Sequence, residues 1–177
     1  YNASNLLAVY SVAMLLKLDS ISVLSHLSKL KNVRGRFDII QTKKAKIIID
    51  YAHTPDALKN VLSSINEIRK DFKKLITIVG CGGERDKKKR PIIGKIASIK
   101  SDKVIFTSDN PRNEDPQKII QSMNNGVPLE CVNKVINIIN REEAIRKAFS
   151  MLKTGDVLLI AGKGHEEFED VNGHIKP

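Results

Sequence analysis

The densest group of chemically useful side chains lies between Thr107 and Pro116. It combines carboxylates, amides and a guanidinium with prolines that stiffen the backbone. It follows an apolar run, residues 104–106, that predicts a buried strand. Alternating strand–helix folds bind ligands in loops at the carboxyl ends of strands, so Asp109, Asn110 and Arg112 are candidate binding residues. The alternative is a solvated turn, because Asp, Asn and Pro are ordinary turn residues.

A glycine-rich turn, residues 80–86, follows another predicted strand and contains Arg85. Glycines let the backbone approach a ligand closely or adopt positive φ. The turn matches neither the G-x-G-x-x-G fingerprint nor a P-loop, so it supports phosphate binding only weakly. A tight strand-to-helix turn would explain the glycines but not the charges beside them, and Arg85 is therefore a second candidate.

Two further strand ends carry polar side chains. Residues 160–166 contain glycines, a cation, an imidazole and the carboxylate of Glu166. Asp50 and His53 follow a strand and precede a helix, where Asp50 is placed to accept hydrogen bonds from a ribose and His53 to face phosphate. The alternatives are a structural histidine and simple helix capping by Thr54 or Asp50. Several charged strand-end loops at one sheet edge favour a binding site.

The order of predicted elements indicates how these loops are positioned. Residues 3–16, apolar on nearly all sides, predict a buried helix, and residues 21–30 predict a second helix. From Gly35 onward strands and helices alternate, which predicts an α/β fold with a Rossmann-like, mostly parallel sheet and helices on both faces. The predicted strands are 37–40, 46–49, 75–79, 103–106, 135–138, 157–160 and a last one at 167–171; the predicted helices are 55–69, 91–99, 116–124 and 142–152.

Composition limits the function classes. The net charge is +10, but the lysines are scattered and the chain has no Trp, so neither a basic stripe nor a base-stacking platform is visible. We therefore expect no nucleic-acid partner. No apolar run approaches the roughly 18 residues of a membrane span, so no membrane partner is expected. Cys81 and Cys131 are far apart and predict neither a disulfide nor a metal site.

Six segments spread along the chain together resemble the Mur ligase family, and they occur in the family's order. The segments are Tyr1–Ala8, Gly35–Phe37, Asp50–Leu58, Gly80–Lys87, Asp109–Arg112 and Ala161–Glu166. The resemblance implies that residues 1–34 are the C-terminal helical end of a central ATPase domain. It implies that residues 35–177 are most of the C-terminal, amino-acid-binding domain, truncated at its end.

The resemblance also implies an activity. Mur ligases use ATP and Mg²⁺ to join an amino acid to a nucleotide-linked peptide through an acyl phosphate. The chain is most similar to members that add meso-diaminopimelate to a UDP-N-acetylmuramoyl-dipeptide during peptidoglycan precursor synthesis, and we expect a cytoplasmic monomer. The family's P-loop, magnesium ligands and carbamylated lysine have no counterpart here. We therefore assign no catalytic or metal-binding residue, and we expect the chain to be inactive alone.

The same resemblance assigns residues to two ligands. The ATP-binding positions would be Asn2 and Asn5 near the adenine, Arg36 and His53 near the phosphates, and Asp50 at the ribose. The amino-acid-binding positions would be Arg85, Asp109, Asn110, Pro111, Arg112, Gly162 and Glu166.

The chemistry of diaminopimelate agrees with the second set. Its distal carboxylate suits a planar cation that donates two parallel hydrogen bonds, as Arg112 can. Its distal ammonium needs acceptors, such as Glu166 and a carbonyl near Gly162. Lysine has no distal carboxylate and would leave the arginine unpaired, so diaminopimelate is predicted over lysine. The alternatives are a lysine-adding member, a folate-polyglutamate-type ligase, and a non-catalytic nucleotide- or polyanion-binding module.

Overall fold

The computed structural model describes residues 2–30, 33–69 and 73–176, and the side chains of residues 2–4 and 176 lie outside that description. The chain forms two compact units, Tyr1–Val33 and Arg34–Pro177. None of the described helices is both long enough and apolar enough to cross a membrane.

The first unit consists of two helices, α1 (Asn2–Leu15) and α2 (Ser20–Ser28). The side chain of Asp19 caps α2 by accepting a hydrogen bond from the Ser22 amide at 2.8 Å. The prediction that α1 is buried is wrong for this structure: Ala13 is the one buried residue among residues 5–30. The physical reason is that a single neighbouring helix covers only one side of an all-round apolar helix.

The second unit is built on a six-stranded sheet, which confirms the predicted α/β fold class. Its strands are β1 (Asp38–Gln41), β2 (Lys46–Asp50), β3 (Leu75–Val79), β4 (Lys103–Phe106), β5 (Val135–Asn137) and β6 (Val157–Ala161). The spatial order is β1-β2-β6-β3-β4-β5, and every pair except β1–β2 is parallel. The first pair is antiparallel because a short turn joins its strands and a parallel connection needs a longer crossover.

Four helices cover the two faces of this sheet. They are α3 (Pro55–Ile68), α4 (Lys89–Lys100), α5 (Pro116–Asn124) and α6 (Arg141–Met151), and a 3₁₀ helix runs over Leu129–Lys134. On one face, Leu58 of α3, Ile93 of α4 and Met123 of α5 join one buried cluster. On the other face, Ala144 and Ala148 of α6 join a second cluster. The predicted start of α4 at Pro91 is two residues late, but this proline still lies in the first turn.

The last predicted strand is a two-stranded hairpin apart from the main sheet. It consists of β7 (Glu169–Val171) and β8 (His174–Lys176) with the expected turn at Asn172 and Gly173. The hairpin attaches to the loop after β4: the Arg112 amide donates to the Asp170 carbonyl at 3.0 Å, and the Asn172 amide donates to the Arg112 carbonyl at 2.9 Å. The C-terminal segment therefore braces the loop that carries most candidate residues.

Candidate functional site

The loops after β2, β3, β4 and β6 meet at a cleft of about 700 Å³. These strands are neighbours in the order β2-β6-β3-β4, so their carboxyl ends share one edge. The structure brings seven of the predicted positions together in the lining of this cleft: His53, Arg85, Asp109, Asn110, Arg112, Gly162 and Glu166.

Asn110 organises the loop after β4. It is 8% exposed and adopts the left-handed conformation, with φ of 44°. Its Oδ1 accepts hydrogen bonds from Lys163 Nζ at 2.9 Å and from the Asp170 amide at 3.0 Å, while its Nδ2 donates to Glu166 Oε2 at 3.0 Å. One amide thus connects three segments, and it orients Glu166 in addition to lining the cleft.

Arg112 is held at one end of its guanidinium. Its Nη1 donates to the Gly83 carbonyl at 2.8 Å and to the Asn110 carbonyl at 3.3 Å, and its Nε lies 3.7 Å from Asp170 Oδ2. Its Nη2 makes no hydrogen bond to any residue that the structure describes. This arrangement orients Arg112 and leaves one nitrogen available for an anion in the cleft.

Arg85 and Asp109 line the cleft as charged groups of opposite sign. The exposed Arg85 guanidinium has no hydrogen-bond or ion-pair partner within residues 2–30, 33–69 and 73–176. The Asp109 side chain is 7% exposed and accepts no hydrogen bond from the same described residues. A Cβ atom added at Gly162, where φ is 108°, would lie 2.6 Å from Asp109 Oδ2, so glycine is what lets the carboxylate sit against this turn.

Glu166 is positioned from both sides. Tyr51, which follows β2, donates its hydroxyl to Glu166 Oε1 at 3.1 Å, opposite the bond from Asn110 to Oε2. Burial raises the pKa of Tyr51, and the neighbouring Glu166 raises it further, so this phenol remains a donor at neutral pH. Lys163 Nζ lies 3.6 Å from Glu166 Oε2, so a cation also faces this carboxylate.

The predicted ATP-binding residues of the second unit lie around Tyr51. The Arg36 guanidinium carbon is 4.5 Å from the centroid of the Tyr51 ring, and the His53 ring is 4.8 Å from it. The Asp50 carboxylate accepts hydrogen bonds from the amides of Phe37 and Ala52, both at 2.7 Å. Asp50 therefore braces the backbone rather than capping α3, which Thr54 caps. A role for Asp50 at a ribose stays a prediction.

The remaining predicted positions lie elsewhere. Asn5 is an exposed residue of α1 in the first unit, and the side chain of Asn2 lies outside the described residues. Pro111 is buried and does not line the main cleft. It lines a neighbouring cleft with Ser108 and Glu169, and a Cβ added at Gly83 would lie 1.8 Å from its carbonyl oxygen. Pro111 thus shapes the packing of two loops.

Sequence reasoning missed the ion pair of Arg90 and Glu114. Arg90 Nη1 and Nη2 each donate to a different Glu114 oxygen at 3.0 Å, and Glu114 also accepts the Glu84 amide at 2.6 Å. The hydrogen bonds from Arg90, followed by the one from Glu84, lower the pKa of Glu114 to about 2. The only signal in the sequence was the proximity of Glu114 to Arg112, which does not identify its partner.

The cleft offers neither a thiol nucleophile nor a metal-ligand set. Burial raises the pKa of Cys81 to about 12, so its thiol stays protonated at neutral pH. Among the residues that the structure describes, no three His, Cys, Asp or Glu side chains group together as a metal site would require. We therefore assign no ligand of the implied Mg²⁺ among these residues and derive no step through it.

Comparison with known proteins agrees with the geometry. Residues 35–164 match the model of "Mur ligase, glutamate ligase domain". Similar curated proteins include the UDP-N-acetylmuramoyl-L-alanyl-D-glutamate–2,6-diaminopimelate ligases of Cytophaga hutchinsonii, 50% identical, and Bacteroides thetaiotaomicron, 52% identical. Each match covers 98% of this chain and 36% of the relative, so the chain spans about a third of the length of these relatives.

A solved structure of an enzyme with the same name is similar in fold. It is 36% identical, has a TM-score of 0.74, and the match covers 98% of this chain and 35% of that one. Because the family model matches most of the chain and this likeness extends over nearly all of it, we conclude that the chain belongs to the Mur ligase family.

Proposed function

We propose that this chain belongs to an ATP-dependent ligase that adds meso-diaminopimelate to UDP-N-acetylmuramoyl-L-alanyl-D-glutamate. The names of the similar proteins support this reaction, and so does the charge pattern of the cleft. The observation that carries the proposal is the presence, in one cleft, of a carboxylate and a guanidinium, Asp109 and Arg85, that make no side-chain hydrogen bond or salt bridge with the described residues. A ligand with both an ammonium and a carboxylate at one end would pair both groups.

The positions of the charges suggest how the amino acid would be oriented. The free nitrogen of Arg112, together with Arg85, suits the distal carboxylate, because guanidinium groups bind carboxylates through parallel hydrogen bonds. Glu166, Asp109 and the backbone near Gly162 suit the distal ammonium. With the distal end held in this way, the proximal amine is left to react.

ATP would supply the phosphoryl group that activates the carboxylate of the UDP-linked dipeptide as an acyl phosphate. The attacking amine then forms the amide bond, and phosphate leaves. The residues of this chain bind and orient the amine substrate, and Arg36, Asp50 and His53 would face the nucleotide beside Tyr51. A guanidinium held over an aromatic ring is suited to phosphate because its N–H groups remain exposed at the edge.

The proposal includes the organisation of the whole protein. Residues 1–34, with Asn2 and Asn5 near the adenine, would end the central ATPase domain, and residues 35–177 would form the amino-acid-binding domain. The enzyme would act as a cytoplasmic monomer and would use Mg²⁺ together with ATP.

The deciding experiment is a ligase assay of the full-length protein with ATP, the UDP-linked dipeptide, and either diaminopimelate or lysine. We expect kcat/KM for diaminopimelate to exceed that for lysine at least about a hundredfold, since lysine leaves a guanidinium unpaired. Preferential turnover of lysine would contradict the proposed substrate. The absence of turnover with either amino acid would contradict the proposed activity. Residues 1–177 alone serve as a control and should show no turnover.

The alternative of a polyanion-binding module is tested separately, by measuring the binding of single- and double-stranded nucleic acid at increasing salt concentration. A steep fall of log K with log salt concentration would favour that alternative. We expect no binding at physiological salt.

A further inference from the structure

Arg141, the first residue of α6, connects the ends of two strands that are not paired with each other in the sheet. Its Nη2 donates to the Ala161 carbonyl at 2.9 Å, and its Nη1 donates to the Ser108 carbonyl at 3.3 Å. These carbonyls lie at the carboxyl ends of β6 and β4, and β3 lies between those strands in the sheet. The guanidinium therefore bridges across the end of β3.

The two bridged residues immediately precede two positions of the proposed amino-acid site. Asp109 follows Ser108, and Gly162 follows Ala161. The carboxylate of Asp109 packs so closely against Gly162 that a Cβ there would lie 2.6 Å from Oδ2. A group that holds both preceding carbonyls thus controls how far Asp109 lies from Gly162.

Helix α6 itself gives no reason for a cation at this position. Positive charge at a helix N-terminus is unfavourable beside the helix dipole, and Asn140 already caps α6 through the Glu143 amide at 3.0 Å. The charge of Arg141 is compensated from the site: burial lowers its pKa, while Asp109, Glu169 and Glu166 act in the opposite direction. The other titratable groups of the cleft that Arg141 lines are Glu142, Lys163 and Glu167.

We propose that Arg141 is a positioning residue of the amino-acid site, which holds Asp109 and Gly162 at their separation by donating to the two carbonyls before them. The ligand's identity rests on the proposed function, but the bridge does not. Arginine is required because its planar guanidinium donates in two fixed directions, whereas a lysine ammonium on a shorter, flexible chain cannot reproduce both.

The test compares Arg141→Met, Arg141→Lys and, as a control on the same helix, Arg146→Met in the full-length protein. Arg146 is 77% exposed and pairs only with Glu142 among the described residues. We expect Arg141→Met to raise KM for diaminopimelate about tenfold or more, because the loss of both hydrogen bonds lets Asp109 and Gly162 shift, with KM for ATP and kcat within about twofold. The control should change none of them.

The comparison of Arg141→Met with Arg141→Lys separates the effect of charge from that of geometry. Arg141→Met removes both the charge and the two hydrogen bonds, whereas Arg141→Lys removes the fixed geometry of the two hydrogen bonds and keeps the charge. We therefore expect KM for diaminopimelate to rise in Arg141→Lys as well, because one ammonium cannot hold both carbonyls. An unchanged KM in Arg141→Met, or an equal rise in both KM values, would overturn the proposal.

A second readout keeps this inference separate from the proposed function. Hydrogen exchange at the amides of residues 108–110, 112 and 161–166 should accelerate in both Arg141 variants and not in Arg146→Met. Inactivity of the wild-type protein with every amino acid would refute the proposed function alone. Unchanged exchange in Arg141→Met would refute the bridge whatever the ligand.

Discussion

Arg90 and Glu114 form a two-bonded ion pair between the first turn of α4 and the loop after β4, with both N–O distances at 3.0 Å and the Arg90 side chain only 3% exposed. Glu114 also accepts the Glu84 amide, and Arg90 donates to the Gly82 carbonyl at 3.2 Å. The pair therefore joins the turn that presents Arg85 to the loop that presents Arg112.

Glu114→Gln should destabilise the protein, because it leaves the buried Arg90 guanidinium without a counter-charge. We expect the free energy of unfolding to fall by about 1–3 kcal/mol, measured by urea denaturation at neutral pH. Glu142→Gln is the matched control, since Glu142 pairs with Arg146 where both side chains are more than 70% exposed. The control should stay within about 0.5 kcal/mol of wild type. Equal effects of the two substitutions would contradict the structural role of Glu114.

The same pair predicts a dependence of stability on pH. The pKa of Glu114 is lowered from its usual 4.5 to about 2, so its contribution is present above pH 4.5 and is lost as the pH falls toward 2. The difference in unfolding free energy between wild type and Glu114→Gln should therefore shrink as the pH falls. A difference that stays constant between neutral pH and about pH 3 would rule out this titration.

Arg112→Ala tests the proposed recognition of the distal carboxylate. We expect KM for diaminopimelate to rise about a hundredfold, while KM for ATP changes little, because a carboxylate loses its paired donor. Steady-state kinetics of the full-length protein, with each substrate varied in turn, provides the measurement. Equal losses for ATP and the amino acid would show that Arg112 acts through folding instead.

Gly162→Ala tests the close approach of Asp109 to the turn after β6. The added Cβ would displace the Asp109 carboxylate, so KM for diaminopimelate should rise several-fold or more. Gly173→Ala is the control: φ is 74°, so the substitution is similarly strained, but nothing lies within 4 Å of the added Cβ. If both variants raise KM equally, backbone strain and not the Asp109 contact is responsible.

Both cysteines should resist alkylation in the native protein. Cys81 and Cys131 are buried, and burial raises the pKa of Cys81 to about 12, so almost no thiolate forms near pH 8. Iodoacetamide labelling followed by mass spectrometry should detect both sites in urea and neither in buffer. Rapid labelling of Cys81 in the native state would contradict its burial.

The elements that position the site were predictable from local patterns. Apolar runs such as residues 75–79 predicted the strands, and Pro55 and Pro116 marked two helix starts correctly, because proline is favoured in the first turn. The exposure of α1 was not predictable in this way, because an apolar pattern shows which surface of a helix favours burial and does not show which neighbour buries it. The role of Asp50 at a ribose stays a prediction, and the hydrogen bond that its carboxylate accepts from the Phe37 amide comes from another loop, which a local pattern does not show.

The candidate site likewise has features that the sequence predicted and features that only the folded structure shows. Residue types and short spacings were sufficient to predict that Asp109, Asn110, Arg112 and Glu166 lie together, because strand-end loops of a parallel sheet place their side chains at one edge. Their binding roles stay predictions. The partners of these residues depend on contacts distant in sequence: Glu166 with Tyr51, Glu114 with Arg90, and the carbonyls of Ser108 and Ala161 with Arg141. Such pairings depend on the strand order and on the distance that individual side chains can span. Both are properties of the folded chain, and neither produces a periodic pattern in the sequence.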